Sequence, residues 1–202
     1  MQSSRTLREV SGLASRPPSL RGSALIMIDC QNTYRQGVMQ LINVEPALAE
    51  AGLLLARARA EGARIFHIRH DAGPGSPYDV SAAIGQISDE VAPRDDEPVI
   101  TKNYPNAFIK TDLEKRLRDA RISKLILAGF MTHMCINSTA RGAFNLGFEP
   151  TIVGAATATR NLPNADGGVV SAESLQAASL AAVGDLFAVI VGKTADLADG
   201  TR

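Results

Sequence analysis

The sequence changes from a strand pattern to a helix pattern within Lys124-Leu-Ile-Leu-Ala-Gly129, Phe130-Met-Thr-His-Met and Cys135, and this junction is the most informative stretch of the chain. Residues 125–129 form an apolar run typical of a buried strand, and from Ile136 onward apolar residues recur at helical spacing. Cys135 therefore lies where a helix begins, and the unpaired N–H groups and helix dipole there favour a thiolate over a thiol. This position predicts a nucleophile, and a small buried apolar residue is an equally good interpretation of it.

Strand and helix patterns alternate along the chain on both sides of this stretch. Apolar or β-branched runs predict further strands at 23–28, 64–69, 98–101, 150–153 and 187–191. Helical spacing predicts helices at 45–61, from Thr111 onward, from Cys135 to Gly147 and at 171–183. Thr111 and Glu114 have the spacing of a capping box. The alternation predicts a three-layer α/β/α fold of Rossmann-like type, with a mostly parallel six-stranded sheet and helices on both faces.

The remaining segments predict one domain with an arm. Residues 1–22 contain four arginines and Pro17-Pro18 but no apolar stretch long enough for a signal peptide, so we predict an N-terminal arm. Residues 23–202 are predicted to form a single domain with one sizeable core. Residues 70–99 fit no regular element and are rich in glycine and proline, which predicts a long loop that walls or covers a pocket.

Composition and charge argue against several classes of partner. Lys and Arg total 21 and Asp and Glu total 21, so the chain has no net charge to attract nucleic acid or an anionic membrane. No segment reaches about 18 uninterrupted apolar residues, so no transmembrane helix is expected. Cys30 and Cys135 are the only cysteines, too few for a disulfide framework, which favours a reducing compartment. We therefore expect a soluble cytoplasmic protein that acts on a small molecule, and no cofactor, since no dinucleotide glycine fingerprint follows a predicted strand.

Reactive side chains follow three of the predicted strands. Asp29 ends the first strand, Lys102 follows the third, and Cys135 follows the fourth after a short loop. Ligands of an open α/β sheet bind outside the carboxyl ends of its strands, so these side chains are predicted to meet there. An adjacent cation lowers the pKa of a thiol, so we expect Lys102 to hold the thiolate and Asp29 to accept the thiol proton and later activate water. Taken singly, the three residues could instead be a turn cap, a surface lysine and a core cysteine.

Three motifs occur in order along the chain: Asp29-Cys-Gln-Asn32, then Lys102 with Asn106-Ala-Phe108, then Gly129-Phe-Met-Thr-His-Met-Cys135 followed by Thr139 and Gly147. Together they resemble the isochorismatase-like cysteine hydrolases. That superfamily includes nicotinamidases, N-carbamoylsarcosine amidohydrolase and ureidoacrylate amidohydrolases. The resemblance covers about residues 23–191, and it implies the isochorismatase-like hydrolase fold and a homo-oligomer, either a dimer or a larger assembly.

The resemblance also implies the parts of a site. It implies a catalytic triad of Asp29, Lys102 and Cys135, a cis peptide bond between Phe130 and Met131, and an oxyanion hole formed by the backbone N–H groups of Met131 and Cys135. Isochorismatases themselves carry a small, non-nucleophilic residue at the cysteine position, so Cys135 argues for a thioester route. The metal-binding pattern of nicotinamidases is not reproduced after the second predicted strand, and the chain has three histidines in all, so we predict no catalytic metal.

Aromatic residues near these positions in the sequence suit the walls of a pocket for a planar or amide substrate. The predicted substrate contacts are Tyr34, Tyr104, Phe108, Phe130 and His133. Core packing is the alternative for the aromatic rings, and a hydrogen bond to a backbone carbonyl is the alternative for the histidine. Gln31 and Asn32 are predicted to fix the loop after the first strand, and Cys30 is predicted to be a buried apolar residue on the opposite face of the sheet.

The predicted function is that of a metal-independent cysteine hydrolase. It would cleave a C–N bond of a small amide, lactam or N-carbamoyl compound through a thioester on Cys135. The alternative is a catalytically inactive ligand-binding or scaffold member of the same fold. A thiol redox sensor is a weaker rival, because no resolving cysteine lies beside Cys135.

Overall fold

The computed structural model describes residues 4–198, and its elements follow the predicted alternation. The helices are α1 (Leu7–Val10), α2 (Val44–Ala60), α3 (Leu113–Asp119), α4 (Asn137–Asn145) and α5 (Ala172–Gly184). The strands are β1 (Ala24–Ile28), β2 (Arg64–His70), β3 (Val99–Lys102), β4 (Lys124–Phe130), β5 (Glu149–Ala158), β6 (Leu162–Pro163), β7 (Val169–Val170) and β8 (Val189–Val191). No helix in this part of the chain combines the length and apolar character needed to span a membrane.

Six strands form one parallel sheet in the order β3-β2-β1-β4-β5-β8. The chain runs outward from β1 to β2 and β3, and then returns to the other side of β1 as β4. The strands stay parallel, but the side on which successive strands are added to the sheet switches between β1 and β4, where Ile28 lies opposite Gly129. A crevice opens at the carboxyl ends of the strands at such a switch, and ligands of α/β folds bind there. The predicted α/β architecture with a parallel six-stranded sheet is confirmed.

Side chains of the central strands alternate between two cores, one on each face of the sheet. Leu25 and Met27 of β1 belong to the core covered by α2, whereas Ile26 and Ile28 belong to the core covered by α3, α4 and α5. All five residues of β1 are buried, as expected for a strand covered on both faces. Burial of each large aliphatic side chain contributes about 1.5–3 kcal/mol to the free energy of folding. The sheet therefore holds the loops at its carboxyl edge in place.

Three local features differ from the sequence predictions. The predicted capping box is wrong, because α3 begins with Asp112 as its N-cap and the Thr111 hydroxyl donates to the carbonyl of Ala107 at 2.6 Å. β5 continues past the predicted residue 153 to Ala158, after a register shift against β4. A two-stranded antiparallel hairpin of β6 and β7 follows β5. The extension of β5 carries the chain to the same edge of the sheet as the end of β4.

The segment before β1 packs against the rest of the chain. Arg8 of α1 is buried, and its guanidinium donates to the carbonyls of Ala14 at 2.7 Å and Leu186 at 2.8 Å. Leu20 is fully buried in the core covered by α2. Residues 1–3 of the predicted arm and residues 199–202 of the predicted domain lie outside the described residues.

The long loop predicted at 70–99 connects β2 to β3. It contains two 3-10 turns, Ala83–Gly85 and Asp89–Val91. Ile87 forms an isolated bridge with Gln31, and the N–H of Asn32 donates to the carbonyl of Gln86 at 2.9 Å. The loop therefore runs beside the segment that follows β1, at the carboxyl edge of the sheet.

Candidate active site

Asp29 is the first residue after β1 and lies at the crevice between β1 and β4. Its backbone is left-handed, with a φ of 51°, and its N–H donates to the carbonyl of Ile68 at 2.9 Å. On the facing strand, Gly129 has a φ of 115°, and a Cβ atom there would lie 1.9 Å from the carbonyl oxygen of Ile28. Glycine permits this close approach of the two strand ends. The Asp29 side chain is fully buried at the junction.

Lys102 ends β3 and brings an ammonium group to the same point. Its Nζ lies 2.7 Å from Asp29 Oδ2 and 3.3 Å from Cys135 Sγ. The side chains of Asp29 and Lys102 are both completely buried. The structure therefore brings together the three side chains that were predicted to meet at this edge of the sheet.

Cys135 lies in a π-helical turn, Thr132–Ile136, that joins β4 to α4. The Thr132 hydroxyl donates to the carbonyl of Ala158 at 3.0 Å, which ties the turn to the end of β5. The turn begins after the cis peptide bond between Phe130 and Met131, which the resemblance implied and the structure contains. Cys135 is thus held between the ends of β4 and β5, with 5% of its surface exposed.

The structure favours a neutral thiol at Cys135 before substrate binds, whereas the sequence predicts a thiolate held by Lys102. Burial, followed by the negative charge of Asp29, raises the pKa of Cys135 to about 12 against the lowering effect of Lys102. The sequence indicates that Lys102 lies near the sulfur. It does not show that Asp29 already pairs with the ammonium, nor how completely the site is buried.

Asp29 is the base that this arrangement offers to the thiol. Burial raises the pKa of Asp29 above its usual range, although the charge of Lys102 and hydrogen bonds with Lys102 and Cys135 lower it. A carboxylate with a raised pKa binds a proton more strongly than an exposed one does. The three groups can therefore exchange a proton between sulfur and carboxylate while the ammonium remains beside both.

His70 is a fourth member of the cluster that the sequence predictions did not include. It ends β2 opposite Lys102 in the strand register, and its Nδ1 lies 3.2 Å from Lys102 Nζ. Burial and the charge of Lys102 lower the pKa of His70, so the imidazole is neutral and its Nδ1 accepts a hydrogen bond from the ammonium. The signal that could have found it is the one that found Lys102, since both residues end a strand at this edge.

Two of the predicted aromatic contacts pack against each other near the cluster, and the charge of Asp29 reaches the first of them, Tyr34. Tyr34 and Phe130 are buried, with ring centroids 5.6 Å apart, and the Tyr34 ring is 5.9 Å from that of Tyr78. Tyr78 belongs to the long loop and lies 5.0 Å from the ring of His70. Burial raises the pKa of Tyr34, and the negative charge of Asp29 raises it further, so its phenol stays protonated. No sequence pattern predicted the position of Tyr78.

The other predicted substrate contacts lie in different surroundings. Phe108 is buried in the core covered by α3, α4 and α5. Tyr104 is 41% exposed, with the Lys110 ammonium 5.2 Å from its ring centroid. His133 is half-buried, and its Nδ1 lies 2.5 Å from Thr159 Oγ1. The contacts of these residues with a substrate stay predictions.

Two polar side chains after β1 fix the adjoining loops, as predicted. Gln31 is fully buried, and its Nε2 donates to the carbonyls of His70 at 3.0 Å and Gly85 at 2.7 Å. Its Oε1 accepts the N–H of His70 at 2.8 Å. Asn32 Nδ2 donates to the carbonyl of Ala83 at 3.0 Å. These bonds attach the long loop to the ends of β1 and β2.

The second cysteine lies apart from the cluster. Cys30 is buried in the core covered by α2, whereas Cys135 belongs to the core on the other face of the sheet, and both are free thiols. The predicted burial of Cys30 on the opposite face is confirmed. Within residues 4–198, no three His, Cys, Asp or Glu side chains lie close enough together to hold a metal ion.

The match with known proteins extends over most of the chain. A family model described as the Isochorismatase domain matches residues 23–192. The chain belongs to the isochorismatase family. A secreted isochorismatase effector of Verticillium dahliae is 30% identical over 187 residues, which cover 92% of this chain and 96% of that protein. The crystal structure of an isochorismatase from Pseudomonas putida KT2440 has 34% sequence identity and a TM-score of 0.92, and the match covers 96% of this chain and 100% of that one.

Two further relatives of this chain have names that state what they act on. A streptothricin hydrolase of Streptomyces noursei is 30% identical over 142 residues, which are 70% of this chain and 51% of that enzyme. A ureidoacrylate amidohydrolase of Klebsiella pneumoniae is 29% identical over 185 residues, which are 72% of this chain and 78% of that enzyme. The family of this chain is therefore one of hydrolases, and its relatives include amidohydrolases.

Proposed function

We propose that this isochorismatase-family protein is a metal-independent cysteine hydrolase that cleaves a C–N bond of a small amide, lactam or N-carbamoyl compound. The observation that carries the proposal is the contact of Lys102 Nζ with both Asp29 Oδ2, at 2.7 Å, and Cys135 Sγ, at 3.3 Å, inside the protein. A nucleophile, a base that activates it and a group that orients the base are the parts that covalent acyl transfer needs.

The first half-reaction forms a thioester. Cys135 attacks the substrate carbonyl carbon while the thiol proton moves to Asp29, whose pKa is raised by burial and therefore suits the uptake of that proton. The backbone N–H groups of Met131 and Cys135 bind the oxyanion, and one such donor is worth about 3 kcal/mol in a transition state. The tetrahedral adduct collapses, the C–N bond breaks, and the nitrogen leaves with the proton from Asp29.

The second half-reaction hydrolyses the thioester. Asp29, again a carboxylate, takes a proton from water as the water oxygen attacks the acyl carbon. The C–S bond then breaks, the acid product is released, and the sulfur regains its proton from Asp29. Lys102 lies within contact distance of both groups that carry negative charge in turn.

Two features favour this reaction over the vinyl-ether hydrolysis of isochorismatases. Cys135 is a nucleophile at a position where, by the resemblance, isochorismatases carry a small residue that cannot attack. Relatives named streptothricin hydrolase and ureidoacrylate amidohydrolase align with most of this chain, and the second name states amide hydrolysis.

The test is ammonia release from a panel of primary amides and N-carbamoyl compounds, together with chromatographic detection of ring opening for lactams, by the wild-type protein and the Cys135→Ala variant. Cys135→Ala should lose turnover and keep the circular dichroism spectrum of the wild type. Cys30→Ala is the matched control, because it removes the other buried thiol, and it should keep most of the activity. Rapid quenching followed by mass spectrometry should find the acyl group attached to Cys135.

Two outcomes would contradict the proposal. One is Cys135→Ala activity above a few per cent of wild type, since a covalent route needs the sulfur. The other is a wild-type protein that releases no ammonia and opens no lactam beyond the Cys135→Ala blank, and that forms no acyl adduct with any member of the panel. That second result would favour the inactive ligand-binding member of the fold.

A further inference from the structure

His70 contacts the ammonium of Lys102 but has no part in the mechanism proposed above. Its Nδ1 lies 3.2 Å from Lys102 Nζ. The same Nζ forms an ion pair with Asp29 Oδ2 at 2.7 Å and a hydrogen bond with Cys135 Sγ at 3.3 Å. An ammonium carries three N–H donors and no acceptor, so these three partners match its full capacity. Asp29 and Cys135 exchange a proton in the proposed reaction, whereas the imidazole of His70 keeps the same charge throughout.

The contact with Lys102 determines which nitrogen of His70 carries the proton. An ammonium can only donate, so the hydrogen bond needs a lone pair on Nδ1, and the ring proton must then be on Nε2. Burial and the charge of Lys102 lower the pKa of His70, against the opposing charges of Asp29 and Asp71. The ring is therefore neutral near pH 7, and it presents an acceptor to Lys102 rather than a second positive charge.

The sheet and its neighbours hold His70 in place. It is the last residue of β2, and its partner in the parallel register is Lys102, the last residue of β3. Gln31 accepts the N–H of His70 at 2.8 Å and donates to its carbonyl at 3.0 Å. The ring of Tyr78 packs edge-on against the imidazole, with ring centroids 5.0 Å apart. The acceptor offered to Lys102 is therefore fixed before any substrate binds.

A fixed acceptor matters because the side chain of Lys102 is long and completely buried. A buried N–H group that loses its partner is costly. Without Nδ1 of His70, the ammonium should turn toward its strongest partner, the carboxylate of Asp29, and away from the sulfur of Cys135. The negative charge that passes to the sulfur during the attack would then have a more distant counterion.

We propose that His70 is a positioning residue, whose unprotonated Nδ1 holds the Lys102 ammonium in contact with both Asp29 and Cys135. It acts through Lys102, since the ammonium lies between the imidazole and the two groups that exchange the proton. The effect of His70 on hydrolysis rests on the proposed function. Its effect on the reactivity of the Cys135 sulfur does not, and this effect is measured separately.

Alkylation of Cys135 by iodoacetamide tests the role of His70 without any turnover. The sulfur displaces iodide, one S–C bond forms, one C–I bond breaks, and the thiol proton is lost. Mass spectrometry assigns the alkylated residue, and Cys135→Ser is the blank. His70→Phe keeps a ring but removes the acceptor. His70→Asn is the conservative variant, because its Oδ1 is an acceptor bonded to the same γ carbon position as Nδ1.

The alkylation rate near pH 7.5 should fall roughly tenfold to a hundredfold in His70→Phe, as expected for loss of a hydrogen bond to a charged group. His70→Asn should stay within about threefold of the wild type. In a Lys102→Met background, His70→Phe should change the rate by less than about twofold, because no ammonium is left to position. Arg69→Met is the matched control, since Arg69 precedes His70 on β2 and donates to Thr101 Oγ1 at 3.0 Å, and it should react at the wild-type rate.

Three alkylation results would overturn the proposal. One is a wild-type rate in His70→Phe. Another is an equal loss in His70→Phe and His70→Asn, because the ring and not the acceptor would then be the cause. The last is the same loss from His70→Phe with and without Lys102, since His70 would then not act through the ammonium.

Nitrogen NMR of the histidine rings tests the protonation state in the wild-type protein itself. The chain has three histidines, and His70→Asn assigns the signals of His70 by their loss. Near pH 7.5 we expect an unprotonated Nδ1 and a protonated Nε2. In Lys102→Met the pKa of His70 should rise, because the positive charge that lowers it is gone. A proton on Nδ1, or a pKa of His70 that is the same in Lys102→Met, would overturn the proposal.

Hydrolysis then separates this proposal from the proposed function. With the best primary amide or N-carbamoyl compound of the panel, His70→Phe should lower kcat roughly tenfold to a hundredfold and leave KM within about threefold of the wild type. His70→Asn should recover most of the loss in kcat. An unchanged kcat in His70→Phe would overturn the role of His70 while the cysteine hydrolase stands. A wild-type protein that hydrolyses nothing but shows the expected alkylation and NMR results would overturn the cysteine hydrolase while the positioning of Lys102 by His70 stands.

Discussion

Replacement of Lys102 by methionine tests whether the buried ion pair maintains the charge state of the site. Methionine keeps an unbranched apolar side chain but removes the ammonium that lies 2.7 Å from Asp29 Oδ2, where both side chains are completely buried. Removal of one partner of a buried ion pair costs about 3–5 kcal/mol, because the other charge is left without compensation. We expect Lys102→Met to lower the free energy of unfolding by about that amount near pH 8.

The loss should depend on pH, because Asp29 can take up a proton. Without Lys102, the pKa of Asp29 should rise further above its value in the unfolded chain, since burial then acts with fewer opposing groups. The stability linked to a raised pKa is present below the unfolded-state value of about 4 and is lost as the pH rises through the folded-state value. Urea unfolding followed by circular dichroism should therefore show a smaller loss near pH 5 than near pH 8.

The chain offers a matched control for the same substitution. Lys115 pairs with Asp119 at 2.6 Å, but 76% and 63% of the two side chains are exposed. Lys115→Met should cost about 0.5 kcal/mol or less, because water already screens that pair. The double variant Asp29→Asn/Lys102→Met leaves no buried charge and should recover part of the loss. The reasoning is refuted if Lys102→Met loses less than about 1 kcal/mol at both pH values, or if the double variant is no more stable than the single one near pH 8.

Three further outcomes are expected. Gly129→Ala introduces a Cβ 1.9 Å from the carbonyl oxygen of Ile28 at a φ of 115°, so it should lower the urea midpoint and abolish ammonia release; full activity would show that β1 and β4 do not approach so closely. Thr139→Val removes the hydroxyl that accepts the N–H of Ala107 at 3.0 Å and leaves a buried donor unpaired. The cost in urea unfolding should be about 1–3 kcal/mol, and Thr139→Ser, which keeps the oxygen, should regain most of it; equal losses in the two variants would exclude the hydrogen bond as the cause. The kcat/KM for ammonia release should fall on the acid side as Asp29 takes up a proton. Because burial raises the pKa of Asp29, this fall should occur above the ordinary carboxyl value of about 4, and an acid limb at or below that value would contradict the assignment.

The position of the cluster could be predicted from sequence because it follows from strand ends. Asp29, Lys102 and Cys135 each come directly or shortly after an apolar run, and parallel strands bring such residues to one edge of the sheet. The apolar runs alone do not show which strand ends are neighbours, and the strand order of the structure does. The switch between β1 and β4 makes Asp29 and Cys135 neighbours, and the length of the Lys102 side chain covers the distance from β3.

The protonation state of the cluster could not be predicted in the same way, because it depends on burial. A cation near a thiol lowers its pKa and removal from water raises it, and a sequence shows neither the depth of the site nor whether the cation is already paired. The pairing of Lys102 with Asp29 and the 5% exposure of Cys135 decide the outcome in favour of the thiol.

The neutral thiol and the raised pKa of Asp29 are two consequences of one constraint, which is that the buried cluster holds a single net-neutral pair. At rest the ammonium of Lys102 is balanced by Asp29, and Cys135 carries no charge. When the proton moves from sulfur to carboxylate, the negative charge passes to the sulfur, 3.3 Å from the same ammonium, and Asp29 becomes neutral. The transfer therefore leaves no uncompensated charge in a region of low dielectric constant, where such a charge is most costly. Loss of the thiol proton to solvent, with Asp29 still ionised, would instead place two anions beside one cation, and for that reason the proton should pass from the sulfur to Asp29 rather than leave the site.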